Sequence, residues 1–178
     1  MTMTMHREGL TAQLSFVTPL PPQAVYDYLA DFQKHAEWLE GEMVSQEQTS
    51  PGPVAVGTTF RTTEAMRPGS NMKGVTYCEI TELTPPSRIA WRAHTEATTG
   101  MMAMRSAWSF DIAPEGSGSR VTQTFAFDPP NRSSRIFMAV FLPIVDGLLG
   151  GMGASPKNVR KHAEALERVL ADKARAGM

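Results

Sequence analysis

The spacing of apolar residues changes along the chain, and this change constrains the fold more than any other feature. Over most of residues 11–127 apolar residues recur at every second position, as in TAQLSFV at residues 11–17. This period is typical of strands that bury one face. From residue 133 onward the apolar residues recur at intervals of three and four, the period of a helix with one buried face. The sequence therefore predicts a sheet followed by a helical cover.

Seven strand-like stretches are separated by turn signals such as SPGP, RPGSN and EGSGS. They cover residues 11–17, 43–48, 56–64, a long strand through Cys78, then 88–95, 101–112 and 121–127. Short turns join most of them, so we expect neighbouring strands to be antiparallel. Two short helices interrupt the series: Pro22 suits the first turn of one, and Asp31 is expected to cap the other, which runs to Trp38.

The apolar pattern of the C-terminal third predicts two helices, at residues 133–149 and from Pro156 to the end. GGMG at residues 150–153 is expected to break the helical region or to act as a hinge. An antiparallel sheet with one apolar face needs a cover, and the C-terminal helix is the one available. The predicted fold class is therefore α+β: a curved antiparallel sheet of about seven strands gripping a long C-terminal helix, with an apolar pocket between the layers.

Composition excludes several classes of protein. The net charge of −1 gives no electrostatic reason to expect nucleic acid as a partner. The most apolar run, residues 136–149, is too short to span a bilayer. Cys78 is the single cysteine, which excludes an intramolecular disulfide and suits a cytoplasmic location. Residues 1–9 lack the apolar stretch of a secretory signal and are expected to be a disordered leader before a single domain, residues 10–178.

Three blocks of sequence carry a family resemblance. PPQAVYDYLADFQKHAEWLEG, PGPVAVGTTFR and ITELTPPSRIAWR resemble the polyketide cyclase/dehydrase branch of the START-like (SRPBCC, Bet v 1-like) superfamily. The resemblance runs from about residue 10 to residue 128, and the C-terminal helix completes the expected length. It implies the helix-grip fold. It does not fix a function, because the superfamily hosts lipid carriers, hormone receptors, cyclases and chaperone activators.

The residue types most often used in catalysis are not arranged for it. His35 and Glu37 are two apart on a short helix and so point to different faces, which makes His35 a solvated connector histidine in our interpretation. His94 is expected on the solvent side of its strand. Cys78 has no neighbouring histidine to activate it and is interpreted as a small hydrophobe. No histidine pair has metal-ligand spacing and no phosphate-binding glycine loop is present, so neither a metal nor a cofactor is expected.

Strand parity predicts the lining of the pocket. Apolar side chains on the inward parity would form its walls, and polar side chains there need a partner, which can be a ligand. The predicted lining is Trp38, Phe60, Thr62, Glu64, Trp91, Met104, Ser106, Trp108, Gln123, Phe125 and Phe141. Two alternatives stay open for Glu64. It is either a carboxyl with a raised pKa that acts as an acid or base, or a solvated group at a strand end beside Arg67.

Three functions follow from this pattern. The leading hypothesis is non-catalytic binding of a small hydrophobic or amphipathic ligand, lipid- or polyketide-like, in the pocket. The alternative is a cyclase/dehydrase-type enzyme in which one or two polar pocket residues transfer protons. The third is a protein-interaction or dimerisation module that uses Phe137, Phe141 and Ile144 as an exposed stripe. Both a monomer and a homodimer are compatible with the sequence.

Overall fold

The computed structural model describes residues 3–39, 41–65, 71, 73–97, 103–129, 132, 135, 136, 138–140, 144 and 156–177. Its strands are β1 (Thr4–Glu8), β2 (Thr11–Thr18), β3 (Met43–Gln48), β4 (Thr59–Ala65), β5 (Lys73–Thr84), β6 (Arg88–Ala97), β7 (Ala103–Glu115) and β8 (Gly118–Phe127). Its helices are α1 (Pro22–Ala30), a 3-10 helix (Phe32–Glu37) and α2 (Pro156–Arg175). The strands form one antiparallel sheet in the order β1-β2-β8-β7-β6-β5-β4-β3. The predicted α+β class, with a curved antiparallel sheet and a C-terminal helix, is confirmed.

The sheet has one strand more than the sequence predicts. β1 lies within residues 1–9, the segment predicted to be a disordered leader, and pairs with β2 so that Met5 lies opposite Leu14. All five side chains of β1 are exposed. An edge strand with both faces in solvent has no apolar alternation, and this is the reason that the sequence pattern misses it.

The two short helices after β2 form where the sequence predicts them. Pro22 begins α1, where its missing N–H leaves no helical hydrogen bond unmade. The Asp31 carboxylate then caps the 3-10 helix by accepting a hydrogen bond from the backbone N–H of Gln33 at 3.3 Å. Tyr28 and Leu29 of α1 are buried against the sheet. The pair therefore covers part of the apolar face before the chain returns to the sheet at β3.

Helix α2 covers the same face of the sheet. Val159, Ala163, Leu166 and Leu170 are fully buried, and their intervals of three and four are the period that the sequence predicts for a helix with one buried face. Near its end, Lys173 Nζ lies 3.0 Å from a Glu37 carboxylate oxygen, which ties α2 to the 3-10 helix. The same Glu37 oxygen accepts a hydrogen bond from a tyrosine hydroxyl of α1 at 3.2 Å. Glu37 therefore joins three helices and has no contact with His35 that would make a catalytic pair.

The junction of β2 and β8 is tightly packed. A Cβ atom at Gly118 would lie 2.1 Å from the carbonyl oxygen of Thr18, closer than any side chain permits. Next to it, the buried Ser119 hydroxyl donates to the carbonyl oxygen of Leu20 at 2.7 Å. These contacts fix the direction in which the chain leaves β2 toward α1.

Part of the predicted C-terminal cover lies outside the described residues, including Phe137, Phe141 and residues 150–153. The described positions between 132 and 144 are helical, and there Ile136, Val140 and Ile144 are exposed. Within the part of the chain that is described, no helix has both the length and the apolar character needed to cross a membrane.

Candidate functional site

A cavity of about 110 Å³ lies between one face of β3–β7 and the segments that cover that face. The cover consists of the 3-10 helix, the chain that leads from it into β3, and His162 of α2. The walls of the cavity are thus contributed by elements from the middle and the end of the chain.

The strand register aligns the side chains of the sheet in rows across this face. One row is Phe60, Cys78, Ala93 and Ser106, which are direct partners on β4, β5, β6 and β7. The next row, formed in the same way, is Thr62, Thr76, Thr95 and Met104. Because the period of a strand is two, both rows face the cavity while the residues between them face outward. His94 is one of the outward residues, as the alternation predicts.

Eight of the eleven predicted lining residues lie around the cavity: Trp38, Phe60, Thr62, Glu64, Trp91, Met104, Ser106 and Trp108. Gln123 and Phe125 do not line it, which corrects the prediction. Phe125 packs behind Trp108, with ring centroids 4.4 Å apart, and Gln123 lies a further row away opposite Phe110. Strand parity identifies the face of the sheet but not the row, so β8 residues on the right face still fall outside the cavity. Phe141 lies outside the described residues.

Aromatic rings form the apolar wall. Trp91 and Trp108 stack with centroids 6.0 Å apart and planes nearly parallel at 4°. Phe32 stacks on Phe60 at 5.0 Å. With Trp38, the wall contains all three tryptophans of the chain. Tryptophan fluorescence therefore reports directly on the contents of the cavity.

His35 is buried in this wall, and the prediction of a solvated connector histidine is wrong. Its ring lies 4.6 Å from Phe32 and 5.6 Å from Trp91, between centroids. Its Nε2–H donates to the carbonyl oxygen of Leu29 at 2.9 Å, and burial lowers its pKa to about 4. The 3-10 helix turns more tightly than an α-helix, so the face that His35 presents differs from the one that α-helical spacing predicts. His35 is a neutral packing residue whose one visible hydrogen bond closes the end of α1.

A buried polar cluster forms another part of the cavity lining, next to Trp38. The Glu42 carboxylate accepts a hydrogen bond from His162 Nε2 at 3.1 Å and from the Asn158 side-chain amide at 2.9 and 3.1 Å. All three residues are buried. Since a carboxylate only accepts, Nε2 of His162 carries the proton in this contact. The cluster joins α2 to the start of β3.

Glu64 lies beside this cluster, inside the cavity rather than in solvent at a strand end. Its carboxylate accepts a hydrogen bond from the Thr62 hydroxyl at 2.9 Å. Burial raises the pKa of Glu64, an effect partly opposed by the Thr62 hydrogen bond and the nearby His162. Burial and the charge of Glu64 also raise the pKa of the Cys78 thiol to about 12. Of the two alternatives for Glu64, the structure therefore favours the carboxyl with a raised pKa.

Several buried polar atoms have no hydrogen-bond partner among the described residues. Beside the cavity they are Nε1 of Trp38, Nδ1 of His162 and Oε1 of Gln46. Away from the cavity, the amide of Gln123 has neither its oxygen nor its nitrogen paired. Such atoms are rare in native proteins because each one costs about 1–3 kcal/mol.

Sequence reasoning missed the Glu42–His162 contact because the two residues are 120 positions apart. No local motif connects them, and only the placement of α2 against β3 brings them together. Within the described segments, no group of three or more His, Cys, Asp or Glu side chains is arranged to hold a metal ion.

Comparison with known proteins identifies the family. The family described as "Polyketide cyclase / dehydrase and lipid transport" matches residues 10–169. The chain belongs to this family. The match covers the sheet from β2 onward and most of α2, so it includes every described element that lines the cavity. The comparison with curated proteins gives no match.

Solved structures show the same fold at low sequence identity. Ms6760 from Mycobacterium smegmatis has a TM-score of 0.64 at 14% identity, over 99% of this chain and 100% of that one. A protein from Arthrobacter aurescens has a TM-score of 0.67 at 11% identity, over 95% and 91%. A conserved protein from Geobacillus kaustophilus has a TM-score of 0.64 at 14% identity, over 92% and 97%. At these identities the likeness concerns the fold alone.

Proposed function

We propose that the protein binds a small hydrophobic or amphipathic molecule, lipid- or polyketide-like, in the cavity between the sheet and α2. The observation that carries the proposal is the division of the cavity into an aromatic wall and a buried polar side. Family membership supports it, since the family description includes lipid transport. The cavity, about 110 Å³, is smaller than the roughly 300–1,000 Å³ typical of pockets for drug-sized ligands. We therefore propose a compact ligand, or one end of a longer molecule.

The apolar part of the ligand packs against Trp91, Trp108 and Phe60 in this proposal. An occupant that buries roughly 200 Å² of apolar surface gains about 5 kcal/mol before the costs of association. Its polar part is directed to the side of Thr62 and Glu64. Gln123 has no place in the proposal, because it does not line the cavity.

Tryptophan fluorescence tests the proposal. Titration with toluene as an apolar probe should change the emission of the wild-type protein in a saturable way. Ala93→Leu should abolish this change, because Ala93 lines the cavity in the row of Cys78 and Ser106. Ala107→Leu is the matched control: it makes the same change on the outward face of the adjacent strand and should leave the titration intact.

Native mass spectrometry of the protein as purified complements the titration by revealing a molecule that co-purifies. An identical response in the wild type and Ala93→Leu, or no response in the wild type, contradicts ligand binding in the cavity. The proposal also includes a cytoplasmic location and a monomeric or homodimeric state, the latter to be measured by light scattering.

A cyclase/dehydrase-type reaction is the second candidate, and Glu64 favours it. A carboxyl whose pKa is raised by burial, inside a ligand cavity, is the kind of group that acts as a general acid or base. If the protein is such an enzyme, a co-purifying molecule changes structure when it is incubated with fresh protein, and Glu64→Gln stops the change while retaining binding. A molecule that is recovered unaltered supports the carrier function instead.

A further inference from the structure

Two unpaired polar atoms lie on neighbouring rings beside the cavity. They are Nε1 of Trp38 and Nδ1 of His162, and neither has a hydrogen-bond partner among the described residues. The two rings pack edge to face with centroids 6.3 Å apart. Both residues line the cavity. Two unpaired atoms on rings that pack against each other call for one explanation.

Trp38 supplies a donor at this place. The indole Nε1–H can only donate, so its partner must accept. The side chain is only 2% exposed, so solvent outside the protein does not reach it. Trp38 is also held in place by Phe110, whose ring meets it edge to face at 6.1 Å. The N–H is therefore fixed in direction and unmatched.

His162 supplies the second group. Its Nε2–H is used by Glu42 at 3.1 Å, and the Asn158 amide binds the same carboxylate. These contacts fix the imidazole ring on α2, so that Nδ1 is the nitrogen left for another partner. With the Nε2–H donated to Glu42, Nδ1 of His162 is the nitrogen that can accept a hydrogen bond.

The nearby polar side chains do not fill this role. Gln46 Oε1 also lies beside the cavity, but it is itself unpaired and so is not the partner of Trp38 Nε1. Glu64 is bound by Thr62 at 2.9 Å. The oxygens of Glu42 are taken by His162 and Asn158. A group from outside the protein is therefore needed, which accepts a hydrogen bond from Trp38 Nε1–H and donates one to His162 Nδ1.

We propose that Trp38 and His162 together bind a hydroxyl group of the ligand. The hydroxyl oxygen accepts from Trp38 Nε1–H and the hydroxyl hydrogen is donated to His162 Nδ1, so one small group pairs both atoms. The ligand class is accordingly an alcohol or phenol with an apolar body, rather than a hydrocarbon, an ether or a ketone. The inference rests on the proposed function, because it names the chemistry of the molecule that the cavity binds.

Three probes of similar size separate the possibilities in calorimetric titrations of the full chain. Toluene has no polar group, 4-methylanisole has only an acceptor, and p-cresol has an acceptor and a donor. We expect wild-type protein to bind p-cresol about ten-fold more tightly than 4-methylanisole, because a site built for a hydroxyl leaves its acceptor unpaired against the ether.

Two variants assign the preference to the two rings. His162→Gln places an N–H near the position of Nε2, which keeps a donor for Glu42, and removes the acceptor at Nδ1. Trp38→Phe retains an aromatic ring and removes the N–H. His162→Gln should reduce the ratio of the two affinities to about three-fold or less, because only p-cresol donates to Nδ1. Trp38→Phe removes the donor to the oxygen of both probes, so it should instead reduce the preference for p-cresol over toluene, by about three-fold or more. Glu164→Gln, on the exposed side of α2, is the control and should keep the wild-type ratio.

The outcomes are distinct. If toluene and p-cresol bind equally well, the hydroxyl site is overturned while the ligand-binding function stands. If 4-methylanisole equals p-cresol in the wild type, or if His162→Gln keeps that preference and Trp38→Phe keeps the wild-type preference for p-cresol over toluene, the assignment to Trp38 and His162 is wrong. If none of the three probes binds, the proposed function itself fails. The probe comparison in the wild type does not depend on whether the variants fold.

Discussion

The Glu42 carboxylate links two distant parts of the chain, and its removal provides the sharpest test of the packing of α2. Glu42→Ala deletes the acceptor of the His162 Nε2–H and of two contacts from the Asn158 amide, at 2.9–3.1 Å. The backbone of Glu42 is unaffected, including its carbonyl oxygen, which accepts from the amide of Ala65 at 2.7 Å. The variant therefore removes the side-chain link alone.

The magnitude follows from the contacts. A hydrogen bond to a charged group contributes about 1.5–3 kcal/mol, and two donor groups lose their contacts with the carboxylate. The deletion also leaves these donors buried without an acceptor. We therefore expect a loss of about 4 kcal/mol in the free energy of unfolding. For a chain of this length that loss lowers the melting temperature by roughly 8–16 °C.

Urea unfolding followed by tryptophan fluorescence measures this loss, since all three tryptophans lie in the cavity wall. Glu164→Ala is the matched control on α2: its carboxylate is exposed and pairs with Arg160 at 2.9 Å. We expect the control to cost about 0.5 kcal/mol or less. Glu42→Gln should fall between the two variants, because the amide keeps one acceptor oxygen.

A result near the control value refutes the reasoning. If Glu42→Ala loses less than about 1 kcal/mol, the cluster does not hold α2 to β3, and the position of His162 beside the cavity has another cause.

Three further predictions concern other parts of the fold. Gly118→Ala should destabilise the protein by about 3 kcal/mol, because its Cβ would lie 2.1 Å from the Thr18 carbonyl oxygen. The pKa of His35, held at about 4 by burial, lies below its ordinary 6.5. The contribution of His35 to the free energy of unfolding is therefore complete above pH 6.5 and is lost as the pH falls toward 4. His35→Gln should flatten that decline. The Cys78 thiol, with its pKa raised to about 12, should react with iodoacetamide at pH 8 roughly 100-fold more slowly in the folded protein than in urea.

Each of these predictions has its own control. Ser117→Ala, next to Gly118 in the exposed turn, should leave stability unchanged, and equal effects of the two changes would contradict the close approach. For His35, unfolding curves at pH 7 and pH 4.5 give the slope, and an unchanged slope in His35→Gln would show that another group titrates. For Cys78, equal alkylation rates in folded and unfolded protein would show that the thiol is accessible.

The sequence predicts the face of each strand well because alternation is a local property. Residues such as Phe60 and Trp91 reveal their orientation through their immediate neighbours. Once the strands pair in order, side chains on the same face lie around one cavity. Local patterns do not say how far across the sheet the cavity extends, and this is why Gln123, on the predicted face, lies a row too far away.

The polar side of the cavity is less accessible to sequence reasoning. Glu42 follows a short connector and His162 lies in the middle of the last helix, so nothing local relates them. His35 shows a different difficulty: its burial depends on a 3-10 turn, which a pattern built on α-helical spacing does not represent. The edge strand β1 is missed because exposure on both faces removes its signal.

The pairing of β2 with β8 has a consequence for the protein as it is made. Thr11 lies opposite Ala126, so more than a hundred further residues must be synthesised before β8, the inner neighbour of β2, is complete. At about 5–20 residues per second, synthesis of that stretch takes roughly 5–20 s. The hairpin partner β1 is available from the start, because only Gly9 and Leu10 separate the two strands. During translation β1 can therefore shield one edge of β2 while the strand that will pair with the other edge has yet to leave the ribosome.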